Sequence, residues 1–134
     1  MVKQTAQYIM TTTIIKKNSE SFTTADAYHV FRKERAGQDS CPLCNEKPIA
    51  TFNHWVIVPN RFPYDAIANV HHMIMPREHI IQAKVTKEAW AELASLKQGY
   101  LNDHYDVIME SLPSQSSIPK HFHLHLIVAL AQPS

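Results

Sequence analysis

Three histidines stand at two-residue spacing in Lys120-His121-Phe122-His123-Leu124-His125-Leu126-Ile127-Val128, each separated from the next by an apolar residue. On an extended strand this pattern puts three imidazoles on one face and Phe122, Leu124 and Leu126 on the other. Neighbouring histidines would then lie about 6–7 Å apart at Cα, close enough to share a ligand, a metal ion or a proton. A half-exposed strand with solvated histidines, or an incidental metal-binding tract, is the bland alternative. It suits one histidine better than three in a single register. A neutral imidazole is a good nucleophile near neutral pH, and one whose second nitrogen donates to a backbone carbonyl is held in the reactive tautomer. Attack on phosphorus would give a phosphoramidate labile enough to pass its phosphoryl group to water or another acceptor. His123, central in the row, is the best placed nucleophile. His125, one pleat further on, can donate to a phosphate oxygen or to the leaving group. Ser117 and Lys120, just ahead of the row, offer further donors, although a serine-rich loop is more often only a loop.

Two more groups could join this chemistry. Cys41-Pro-Leu-Cys44 supplies two thiols at a spacing that suits one tetrahedral metal ion. A thioredoxin-like redox role is disfavoured, because Pro48 follows with no helical pattern behind it. In Ala68-Asn-Val-His-His-Met-Ile-Met-Pro76, alternation sends His71, Met73 and Met75 to one face and His72 and Ile74 to the other. Only one of the adjacent histidines can share the row's face, and a bulge would exchange them.

The elements that must position these residues can be read around them. Strands are expected over 49–59, 68–76, 105–110 and 120–128, with the turn-forming Asn60-Arg-Phe-Pro-Tyr-Asp between the first two and a Ser/Pro loop over 111–119. Thr86 can cap a helix running from Lys87 to Leu101, with Trp90, Leu93, Ala94, Leu96 and Tyr100 on its apolar face. Trp90 and Tyr100 are read as core residues rather than a base-stacking platform. Towards the N-terminus, an extended stretch around 8–17 and a helix from Thr24 stopped by Gly37 are expected. Strands and helices in mostly local order predict an α+β fold, an antiparallel β-sheet with helices packed on it.

The whole chain sets the outer limits. Its 134 residues suit one domain over 1–134, with the motif-bearing part at about 40–128 and an N-terminal extension over 1–39. A net charge of +1 gives no global basic field, so nucleic acid is not an expected partner. The sequence has neither a run of 18 apolar residues nor an apolar signal-peptide core near Met1, so no membrane partner and a cytoplasmic location are expected.

The segment His121-Phe-His-Leu-His-Leu-Ile127 resembles the His-φ-His-φ-His-φ-φ signature of the histidine-triad (HIT) superfamily of nucleotidyl hydrolases and transferases. Asn60-Arg-Phe-Pro63, and His71 five residues before Pro76 with His79 three after it, are similar to that family's preceding strands. Cys41 and Cys44 match the pair found in its zinc-containing members. The resemblance implies a HIT-like fold and a nucleotidyl-histidine intermediate on His123, with His125 and His71 assisting and Asn60 on the nucleotide ribose. It further implies a structural zinc ion held by Cys41, Cys44, His79 and His121, and a homodimer. Ser116-Ser117 stands where many relatives have Gly-Gln, and Val128-Ala-Leu where Pro-Arg is frequent, departures that bear on the substrate. The expected activity is hydrolysis or nucleotidyl transfer at the α-phosphate of a nucleotide conjugate. The competing expectation is a zinc-stabilised, non-catalytic nucleotide-binding or interaction module.

Overall fold

The computed structural model describes residues 41–112, 118 and 120–131. The expected N-terminal strand and helix, most of the loop over 111–119, and Ser117 lie outside the described residues. Among the described residues, five strands form one antiparallel sheet: β1 (Ala50–Thr51), β2 (Trp55–Pro59), β3 (Ala68–Pro76), β4 (Val107–Met109) and β5 (Leu124–Ala129). Their spatial order is β1-β2-β3-β5-β4, so the strand nearest the C-terminus is inserted between β3 and the edge strand β4. Two helices, α1 (Lys87–Gln98) and α2 (Tyr100–His104), lie between β3 and β4 in the chain.

Alternation along the strands divides the sheet into two chemically different faces. Trp55, Ile57, Ile74, Leu124 and Leu126 join Ala89, Leu93 and Leu101 in the larger core between sheet and helices. Burying each large apolar side chain there contributes about 1.5–3 kcal/mol. Val56, Val58, Met73 and Met75 face the other way and pack with Leu43 from the cysteine-bearing segment. The histidine chemistry belongs to this second face.

Thr86 caps α1 by accepting the Ala89 N–H at 3.1 Å, which satisfies one of the otherwise unpaired donors of the first turn. The Trp55 indole N–H donates to the Ala89 carbonyl at 2.7 Å, and the Glu92 carboxylate accepts the backbone N–H groups of Asn53 and His54. These bonds fix the helix against the first hairpin. Trp90 packs beside Trp55 and Phe122 in the core, as its position in the apolar pattern suggests.

Several boundaries differ from the sequence reading. The expected strand over 49–59 is a hairpin, with Phe52–His54 turning between β1 and β2. The expected helix over 87–101 is interrupted at Gly99, whose φ of −119° and ψ of −101° are not helical, and Ala94 is exposed while Ala89 and Leu101 are buried. The last strand begins at Leu124, so His121 and His123 precede it. The physical reason is a change of partner: the Phe122 N–H donates to the Ile80 carbonyl beyond the end of β3, whereas Leu124 pairs with Ile74 within it. Among the described residues, no helix is long and apolar enough to cross a membrane.

Candidate functional site

The site is assembled where β3 and β5 run side by side. Met73 is directly opposite His125 in the register, and both side chains leave the sheet on the face away from the helices. His71, two residues before Met73, leaves on the same face, and its Nε2 lies 2.8 Å from His125 Nδ1. Its neighbour His72 points to the helix side, where its Nδ1 lies 2.6 Å from the Tyr105 hydroxyl. Burial holds Tyr105 at about 12, well above the usual tyrosine range, so this pair stays neutral and serves packing.

The ring nitrogens of the site have assignable proton positions. The Tyr64 backbone N–H donates to His71 Nδ1 at 2.9 Å, so a neutral His71 carries its proton on Nε2 and donates that N–H in a hydrogen bond to His125 Nδ1. His125 must then carry its own proton on Nε2. At His123, Nδ1–H donates to the His121 carbonyl at 3.0 Å, leaving a lone pair on Nε2. The His123 and His125 ring centroids are 5.2 Å apart. Burial, reinforced by the neighbouring histidines His72 and His123, lowers His71 to about 4. Burial together with His123 and His71 lowers His125 to about 2, and burial also lowers His123. At neutral pH the three rings are therefore uncharged, which suits a nucleophile and two hydrogen-bond donors.

Asn60 stands at the edge of this group. Its Oδ1 accepts the Phe62 N–H at 2.8 Å, a local turn bond, and its Nδ2 lies 3.3 Å from His71 Nε2. Lys120 is exposed on the turn before His121. Glu46, two residues beyond Cys44, is tied to Arg61 of the Asn60 turn by a 2.7 Å ion pair, so the cysteine segment and that turn are linked. Neither Tyr64 nor the Glu46–Arg61 pair was singled out by sequence. An aromatic residue after Pro63 and an ordinary charged pair carry no distinctive spacing signal.

His121 belongs to a second cluster. Its Nδ1 lies 3.6 Å from Cys41 Sγ and 3.5 Å from Cys44 Sγ, and Cys44 Sγ is 3.3 Å from His79 Nδ1. One donor atom from each of the four residues falls within 4.8 Å of all the others. Metal–sulfur bonds of ~2.3 Å and metal–nitrogen bonds of ~2.0 Å give a tetrahedron with edges of roughly 3.3–3.8 Å. The three short contacts fit that size. His121 is 1% exposed, and its Nε2–H donates to the Pro76 carbonyl at 3.1 Å, which aims Nδ1 at the thiols. The local sequence explains the convergence: Pro42 starts a single 3₁₀ turn over Pro42–Asn45, and Leu43 anchors it in the second core with a cysteine on either side. The four residues form a possible metal site.

No family model matches the sequence, and no curated protein matches it. Among solved structures, a protein titled "Hit Like Protein" is 19% identical, with 74% of this chain and 96% of that chain covered and a TM-score of 0.45. A HIT family hydrolase from Legionella pneumophila Philadelphia 1 is 17% identical over 66% of this chain and 91% of its own, with a TM-score of 0.45. HTC1 is 18% identical over 96% of this chain and 84% of its own, with a TM-score of 0.52. At such identities a likeness speaks to the fold alone, and of these three only HTC1, with a TM-score above 0.5, bears on it. Five antiparallel strands with helices packed on one face, and with β5, which carries His125, entering between β3 and β4, make the α+β arrangement that the sequence resemblance to HIT proteins implies.

Proposed function

We propose that the protein is a HIT-type nucleotidyl hydrolase or nucleotidyltransferase that acts at the α-phosphate of a nucleotide conjugate through His123. The observation that carries this reading is the His123 Nδ1–H bond to the His121 carbonyl, which leaves the Nε2 lone pair available for attack. In the first step Nε2 forms a bond to phosphorus while the bond from phosphorus to the leaving oxygen breaks, and the leaving group departs as a phosphate-type anion. The His123 ring, now bonded to phosphorus at Nε2 and to hydrogen at Nδ1, is cationic, and the carbonyl of His121 faces that charge. His125 Nε2–H donates to a non-bridging oxygen, where charge develops. Water or another acceptor then attacks phosphorus, the P–N bond breaks, and a proton is released with the nucleoside monophosphate or its ester. Asn60 faces the nucleotide from the neighbouring turn, with Lys120 and Ser117 as phosphate donors from the approach to the row.

Zinc is the ion that best suits two cysteines and two histidines, and Cys41, Cys44, His79 and His121 would hold it in a closed site. When bound it supplies structural cross-linking rather than a coordinated water. It would tie the cysteine segment to His121, whose carbonyl positions His123.

Incubation with a panel of AMP, GMP and UMP conjugates tests the reading. Intact-protein mass spectrometry is expected to show a nucleotidyl adduct that is absent from His123→Ala, together with loss of turnover in that variant. Near-normal turnover by His123→Ala on a substrate the wild type cleaves would refute it. Binding by the wild type without adduct or turnover would favour the non-catalytic module.

A further inference from the structure

A backbone N–H can donate a hydrogen bond but never accept one, and this gives the Tyr64 contact with His71 a directional consequence. Two arrangements of protons would satisfy the His71–His125 bond taken alone: either ring could be the donor. The Tyr64 N–H at 2.9 Å from His71 Nδ1 removes the choice, because that nitrogen must accept. His71 Nε2 is then the donor across the 2.8 Å contact, and the proton of His125 is confined to Nε2. The Asn60 amide nitrogen, 3.3 Å from the same His71 Nε2, would favour the opposite tautomer if it acted as a donor there. The shorter Tyr64 bond excludes that, since the opposite tautomer would set two N–H groups against each other at Nδ1.

Tyr64 is itself held in place. Its carbonyl accepts the N–H groups of Ile67 and Ala68 at 3.0 and 2.8 Å, which joins it to the turn that leads directly into β3. Its ring packs at a tilt against both imidazoles, with centroids 4.3 Å from His71 at 51° and 5.1 Å from His125 at 31°. One residue thus contacts the pair through its main chain and its side chain.

We infer that Tyr64 is a positioning residue of this site: its N–H sets the direction of the His71–His125 hydrogen bond, and its ring keeps solvent from reversing it, so that His125 presents an N–H at Nε2. The consequence for a phosphate oxygen rests on the reading under Proposed function; the proton arrangement does not.

Nitrogen-15 NMR of histidine-labelled full-length protein at neutral pH reads the tautomers directly, with His71→Asn and His125→Ala used to assign the signals. The wild type is expected to show Nε2–H at both His71 and His125. Tyr64→Phe keeps the ring and the backbone donor and is expected to match it. Tyr64→Ala, which opens both rings to water, is expected to give mixed tautomers and to lower kcat by up to about 10²-fold, the scale for weakening one transition-state donor, with KM little changed. A wild-type His71 carrying its proton on Nδ1 would overturn the inference, whatever the variants do. Unchanged tautomers and kcat in Tyr64→Ala would overturn the role of the ring. The expected tautomers in a protein that turns over no nucleotide conjugate would support the positioning role and count against the proposed activity.

Discussion

His121 and His125 stand four residues apart in one alternating sequence, yet their rings do opposite work. At His121, Nε2–H is engaged by the Pro76 carbonyl and Nδ1 faces two thiols, so its lone pair is directed at a cation site. At His125, Nδ1 accepts the hydrogen bond of His71 and the N–H is left on Nε2 as a donor. Both are buried, at 1% and 5% exposure, so solvent does not distinguish them. The partner of the second nitrogen does. A buried imidazole offers a lone pair or a proton according to which of its two nitrogens a neighbour has already engaged.

Removing the cation from one end of the row is the most severe way to break this comparison. Zinc is expected at about one ion per chain by elemental analysis. Its stripping by a chelator, or loss of a ligand in Cys44→Ser or His79→Ala, should lower the melting temperature sharply, because structural zinc in small sites contributes on the order of 10 kcal/mol. Fully folded, reduced protein without zinc would refute the assignment.

At the other end, His125→Ala and His71→Ala should leave the attacking atom in place. His125→Ala is expected to slow adduct formation by roughly 10²–10³-fold, about 3–4 kcal/mol, as for the loss of one transition-state donor, and His71→Ala, which acts through His125, by no more than that. Single-turnover kinetics measure this against His123→Ala, in which no adduct should form. Equal total loss in all three would erase the distinction between nucleophile and donor.

The smallest effect is on stability against pH. Folded His71 titrates at about 4 and its ordinary value is 6.5, so on acidification the unfolded chain takes up this proton first. The contribution of His71 is therefore fully present above about 6.5, is lost as pH falls towards 4, and then levels off. Its size is on the order of 3 kcal/mol. Urea unfolding midpoints measured between these pH values should fall less in His71→Asn than in the wild type; parallel curves would show that His71 is not buried as a neutral ring.

Much of the fold could be read from local pattern. The nine-residue β3 strand was expected at its observed bounds because β-branched and long apolar residues alternate there between Ala68 and Pro76. Thr86 marks the start of α1 because a hydroxyl at that position can cap the first turn. The change of partner at Phe122 could not be read, because alternation over 120–128 is the same whether a residue pairs with β3 or with the segment beyond it.

The candidate site divides along the same line. Sequence by itself determined which residue types were available: spacing offered Cys41 and Cys44 as a metal-binding pair, and only the resemblance to zinc-containing HIT proteins added His79 and His121 to it. Their convergence within 4.8 Å, across 80 residues of chain, was decided by the tertiary structure, because the segments that carry them are brought together only by packing. Periodicity likewise placed His71 and His72 on opposite faces of β3, but which face carries His125 depends on the register of β3 with β5. The protons on those rings were further still from the sequence. They depend on a backbone N–H at Tyr64 and a carbonyl at His121, groups that every such residue possesses and that only the folded chain aims at a particular nitrogen.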